Sequence, residues 1–154
     1  MSKALYYEDF AIGQQIHSEG THTVEKDDII AFARQYDPQS QHIDEEGAKT
    51  SLFGTLVASG WHTAAMTMRL KTRSILFDVK DGLVGIGIES IRWPRPTLPG
   101  DTLRLVVTIL DKRTSKSRPD KGIVKYKAET LNQRGELAME MITAVIVPRR
   151  EPGE

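Results

Sequence analysis

Hydrophobic and polar positions follow a helical period in the first half of the chain and an extended one in the second. Between Lys26 and Tyr36, the residues Ile29, Phe32, Ala33 and Tyr36 recur on one helical face. Asp27 and Asp28 stand at the start of that segment, where the helix dipole favours negative charge. Pro38 disfavours helical geometry at Asp37, so the helix should stop there and leave the Asp37 carboxylate at its mouth. A loop carrying His42 and Asp44 is expected next, then a helical turn through Glu45–Lys49. From Ser59 or Gly60 to about Leu76, the residues Trp61, Ala65, Met68, Thr72 and Ile75 keep helical spacing, with Arg69, Lys71 and Arg73 at polar positions. This is the longest predicted element, a rod of roughly 25 Å at 1.5 Å per residue, and Ser59 is placed to cap it.

After Asp78 the segments 83–93, 102–110, 122–131 and 137–147 favour extended structure. Pro94, Pro96 and Pro99-Gly100-Asp101 break the first from the second, and Asn132-Gln133-Arg134-Gly135 marks a tight hairpin between the last two. The prediction is an α+β fold in which an antiparallel sheet wraps one long central helix. A chain of 154 residues suits a single domain, 1–154, with a core over about 12–147 and a frayed tail at 148–154.

Composition removes several function classes. Lys plus Arg and Asp plus Glu number 21 each, so net charge gives no electrostatic case for nucleic-acid binding. The mixed-charge run Asp111–Lys121 lacks interleaved aromatics and reads as a solvated hairpin loop. With no cysteine, disulfides, thiol nucleophiles and thiolate metal sites are excluded, and a reducing cytoplasm is permitted, which is the expected location. No segment reaches the roughly 20 apolar residues that span a bilayer, so no membrane association is expected. His17, His22, His42 and His62 form no close i,i+4 pair and no HExxH arrangement, so no metal is expected.

The best chemical clue is Asp37 and His42, five residues apart before the long apolar segment. An imidazole, with a reference pKa of about 6.5, can exchange protons near neutrality, and a carboxylate can accept a proton or hold a water. The same residue types also fit a plainer arrangement, with Asp37 closing a turn and His42 making a surface or dimer contact. Asp44 either orients His42 or caps the next helical turn. His62 reads as a packing residue, and Trp93 as packing at a strand end or interface with a contribution to a pocket as the other reading.

Phe32-Ala33, Asp37, His42-Ile43-Asp44, Ala48, the run Phe53-Gly54-Thr55-Leu56-Val57-Ala58-Ser59-Gly60 and the segment Arg92–Leu103 resemble the MaoC-like acyl dehydratase family and its (R)-specific enoyl-CoA hydratase relatives. The hydratase pattern has an aspartate five residues before a histidine and a glycine eighteen after it, and Asp37, His42 and Gly60 stand in that register. The resemblance implies a hot-dog fold with the 59–76 helix as its filling, a homodimer that can assemble further, and acyl-CoA entering near a subunit boundary. It implies reversible hydration of trans-2-enoyl-CoA to a 3-hydroxyacyl-CoA with R stereochemistry and no organic cofactor. Asp37 and His42 would hold the water, the Gly60 amide would bind the thioester oxygen, and Ser59, Trp61, Phe53, Leu56 and Val57 would contact substrate. Arg69, Lys71, Arg73, Lys116 and Arg118 are the cations available for the CoA phosphates. The chain departs from the pattern at Gln39-Ser40, where many hydratases have Asn-Pro, and at Ser59, where histidine is frequent. Two alternatives stay open: an acyl-CoA thioesterase, and a non-catalytic acyl-CoA-binding protein.

Overall fold

The computed structural model describes residues 3–150. A 3-10 turn (Tyr7–Asp9) and two short strands, β1 (Gln15–His17) and β2 (His22–Thr23), precede helix α1 (Lys26–Tyr36). Two single-turn helices follow, α2 (Ser40–Ile43) and α3 (Glu45–Ala48), and then helix α4 (Gly60–Lys71) with a 3-10 turn at Ile75–Asp78. The remainder is strand: β3 (Val84–Arg92), β4 (Thr102–Thr114), β5 (Lys121–Leu131) and β6 (Leu137–Pro148). The sheet order is β1-β4-β5-β6-β3, with β2 also on β4, and every one of these pairings is antiparallel. The fold is therefore α+β.

Local chemistry explains the main elements. In β5 and most of β6 buried and half-buried residues alternate, the signature of strands with one face on a core. Their hairpin turns at Gly135, which takes φ 76°, while the Asn132 side-chain oxygen accepts from the Arg134 and Glu136 amides at 2.9 and 3.0 Å. Helix α1 buries Ile29 and Ala33 and ends with its Asp37 amide donating to the Ala33 carbonyl. Gly122 leaves room for the Tyr7 ring, which a β-carbon there would strike.

The predicted long helix needs two corrections. It spans 12 residues, about 18 Å, and stops at Lys71. The hydroxyls of Thr72 and Ser74 donate to the Arg69 and Lys71 carbonyls at 2.6 and 2.8 Å, competing with further helical bonding. Its buried face is also not the predicted one: His62, Thr63, Met66, Thr67, Leu70 and Lys71 are inside, whereas Trp61, Met68 and Ile75 are exposed. Hydroxyl pairs make this polar face tolerable. Thr63 donates to Thr97 at 3.0 Å, and Thr67 and Thr130 share a 2.6 Å bond, tying α4 to the 97 loop and to β5.

Other expectations shift less. Strand β4 runs four residues further than predicted, to Thr114, into the charge run, and Lys112 there is half-buried, donating to the Tyr7 and Phe10 carbonyls at 3.0 and 2.7 Å. Pro148 ends β6, and Arg149 and Arg150 are held by Pro119 and Asp9, so these three residues of the expected tail are bonded to the fold. Residues 151–154 lie outside the described residues. Among the described residues, no helix is long and apolar enough to cross a membrane.

Candidate active site

Three backbone events bring the site together. Pro38 ends α1 at Asp37, the α2 turn lifts His42 inward, and Ser59 opens α4 at Gly60. His42, which the sequence places in a loop, thus sits in a one-turn helix and is 6% exposed. Its Nε2 lies 3.4 Å from Asp37 Oδ2, longer than a good N–H···O bond and short enough for one water to touch both. The other ring nitrogen, Nδ1, is 2.7 Å from the Val57 carbonyl. A carbonyl can only accept, so Nδ1 carries a proton, and the neutral form of the ring is the tautomer that turns the Nε2 lone pair toward Asp37.

Asp37 is held by two further donors. Gln39 Nε2 donates to Oδ1 at 2.6 Å, and the Ser59 hydroxyl donates to Oδ2 at 2.7 Å. The Gln39 hydrogen bond is the largest influence and pulls the Asp37 carboxyl below its ordinary range; burial, next in size, opposes it, and the Ser59 hydrogen bond and the charge of a protonated His42 ring add to the lowering. Ser59, fully buried, also accepts from the Trp61 amide at 3.3 Å. One hydroxyl therefore caps α4 and orients Asp37, so both departures from the hydratase pattern, Gln39 and Ser59, act on the same carboxylate.

The pair opens into a cavity of about 350 Å³ whose lining includes Phe53, Val57, Ser59, Gly60, Trp61 and Trp93. The Gly60 amide is the first of α4 and has no intrahelical acceptor. Of the residues expected to contact substrate, Ser59, Trp61, Phe53 and Val57 line this cleft, and Leu56 does not. Leu56 is 3% exposed and belongs to the main core, since the 56–58 stretch turns inward there. The Asp44 carboxylate accepts from the Glu46 amide, so it caps α3, and His62 stacks on Phe32 at 4.8 Å, a packing role as expected. The proposed phosphate cations Arg69, Lys71, Arg73, Lys116 and Arg118 are all absent from the cleft lining, and Lys71 is buried. Arg95 lines it instead, paired with Glu136 at 3.0 Å; its position inside the Arg92–Leu103 motif was the available signal.

The sequence of this site region falls within a stretch, residues 9–132, that matches the MaoC like domain family. The chain belongs to the MaoC-like dehydratase family. A MaoC-like dehydratase from Rhodospirillum rubrum, solved by crystallography, superposes with a TM-score of 0.90 at 49% identity, covering 96% of this chain and 99% of that one. An (R)-specific enoyl-CoA hydratase of the same organism is 28% identical over 94% of this chain and 93% of its own. YdeM, an uncharacterized protein of Bacillus subtilis, is 32% identical over 92% of this chain and 98% of its own. The MaoC-like fold and the buried His42–Asp37 pair together give a hydratase-type site.

Within this MaoC-like cleft Gly60 has a steric reason to be glycine. A β-carbon there would come within 2.7 Å of Trp93 Cε2, and Trp93 Nε1 donates to the Gly60 carbonyl at 2.9 Å. Trp93 in turn meets Trp61 edge-on at 5.6 Å. Gly60→Ala should displace the indole, lowering stability by about 1–3 kcal/mol in the manner of overpacked sites and altering tryptophan emission. Because Trp61 and Trp93 are the only tryptophans, fluorescence and a denaturant melt read this directly. Unchanged emission and midpoint would show that the ring is not held there.

Proposed function

We propose that the protein is an acyl-CoA hydratase or dehydratase, adding water reversibly across a trans-2-enoyl thioester to give the (R)-3-hydroxyacyl thioester. The observation that carries this reading is the tautomer-fixed His42 facing an ionised Asp37 beside the free amide of a helix start. One water held between Nε2 and Oδ2 delivers its oxygen to the β carbon as the imidazole takes a proton. The Gly60 N–H then meets the negative charge that collects on the thioester oxygen. The pair returns a proton to the α carbon, which closes the balance of one water added. In dehydration the same groups exchange roles. The apolar lining from Phe53, Val57, Trp61 and Trp93 suits the acyl chain, and Arg95 offers a cation at the cleft.

The working unit is proposed to be a homodimer. Strand β3 is a sheet edge, and its Val84, Ile86 and Ile88, spread over both of its faces by the bulge between Gly85 and Gly87, are each about half exposed. Together with Trp61 and Met68 on α4, they leave apolar surface that a second copy would cover.

The test is an assay of purified protein with short- and medium-chain trans-2-enoyl-CoAs, following ultraviolet absorbance of the conjugated thioester and, in parallel, free thiol. Loss of absorbance without thiol is expected. Thiol release would replace this reading with thioester hydrolysis, and silence in both channels with bound but unreacted acyl-CoA would replace it with a binding protein.

A further inference from the structure

A second cavity, of about 440 Å³, lies along α4 and beneath β3, β5 and β6. Its walls are largely apolar, with Met68, Leu83, Ile88 and Met141 among them, yet Lys71 and Tyr126 also line it. Both are almost wholly buried, at 3% and 2% exposure. Among the described residues no ion pair or hydrogen bond reaches the Lys71 ammonium; its Nζ only stands over the Tyr126 ring, 5.1 Å from the centroid. Burial alone, with no neighbouring charge, pulls the Lys71 ammonium down to about 8, and burial pushes the Tyr126 phenol up to about 12. An ammonium in apolar surroundings is costly unless an anion reaches it.

We infer that this cavity receives the carboxylate end of a medium-length aliphatic chain, with Lys71 pairing the carboxylate and Tyr126 beside it. One cation in apolar walls matches one negative charge followed by hydrocarbon, whereas a phosphate dianion would call for further donors. Trp61 lines both this cavity and the catalytic cleft, and Lys71 stands ten residues beyond it, about 15 Å along the helix. That carboxylate can therefore come from a free fatty acid or from the far end of an acyl chain whose thioester sits at Asp37 and His42; the second source rests on the function proposed above.

Calorimetric titration of the full chain with decanoate, and with 1-decanol as an uncharged match, reads the cavity whether or not the protein turns anything over. Wild-type protein should bind decanoate at least tenfold more tightly than decanol, and Lys71→Met should abolish that preference while keeping decanol binding. In the second arm, medium-chain trans-2-enoyl-CoAs ending in carboxylate or in methyl are compared as substrates. A tenfold or greater loss of kcat/KM in Lys71→Met, confined to the carboxylate-ended thioester, supports the inference and assigns the source to the acyl chain. A decanoate effect alone supports it and assigns the source to free acid. No preference for carboxylate in either arm, or a preference that survives in Lys71→Met, overturns it.

Discussion

Asp37→Asn and His42→Ala should each lower kcat/KM for enoyl-CoA hydration by about 10²–10⁴-fold, the usual worth of a positioned acid–base group. The two losses have separate causes. Asparagine keeps the size of Asp37 and can still meet Gln39 and Ser59, but it carries no charge to hold and polarise the water. Alanine at 42 removes Nε2 and also leaves the Val57 carbonyl without its 2.7 Å donor, which should cost about 1–3 kcal/mol of stability. Since both groups would hold one water, the double variant should be hardly worse than the poorer single variant, as for residues that act as a unit. Steady-state rates on all three, with melting curves to confirm folding, decide this. Near wild-type turnover in either single variant would remove the pair from the mechanism, and fully multiplicative losses would separate the two groups.

Ser59 explains why the departures from the hydratase pattern need not disable that site. A histidine there would offer a second imidazole; the serine instead donates to Asp37 Oδ2 and accepts from the Trp61 amide. Gln39 takes the other Asp37 oxygen. Both residues favour the ionised carboxylate, so Asp37 stays an anion to lower pH than an ordinary aspartate and the proton taken from water falls to His42 Nε2.

The parts of the fold legible in sequence are those governed by local rules. The bounds of α1, the stop at Pro38, the Asn132–Gly135 hairpin and the order of the last four strands follow from propensity, proline sterics and turn chemistry. Helix α4 buries a face other than its apolar period indicates because periodicity scores apolar side chains, and its inner face is made acceptable by partners distant in sequence: Thr97 for Thr63 and Thr130 for Thr67. Its apolar Trp61 and Met68 stay outside in the single chain. The same limit applies to the site. Asp37, His42, Ser59 and Gly60 share a short stretch and a spacing pattern, so the sequence brings them together. Arg95 joins them only through the path of the loop after β3, and Leu56 leaves them only because its side chain turns to the core.

Lys71 offers the sharpest thermodynamic test, because its charge is uncompensated in the folded chain. A fall of the ammonium from 10.5 to about 8 corresponds to about 3 kcal/mol of destabilisation while the group is protonated. The folded value lies below the unfolded one, so between them the unfolded chain binds the extra proton and stability rises with pH. The penalty is therefore fully present below about 8 and relieved as pH climbs toward 10.5. Lys71→Met keeps much of the side-chain length without the charge, and should raise the unfolding free energy near neutral pH by up to about 3 kcal/mol. Urea melts of both proteins near neutrality and at pH of about 10 should show this advantage shrinking with pH. An advantage that is absent at neutrality, or that does not change with pH, would mean the ammonium is already compensated, and decanoate at saturating concentration should produce that outcome in the wild-type chain by supplying the missing anion.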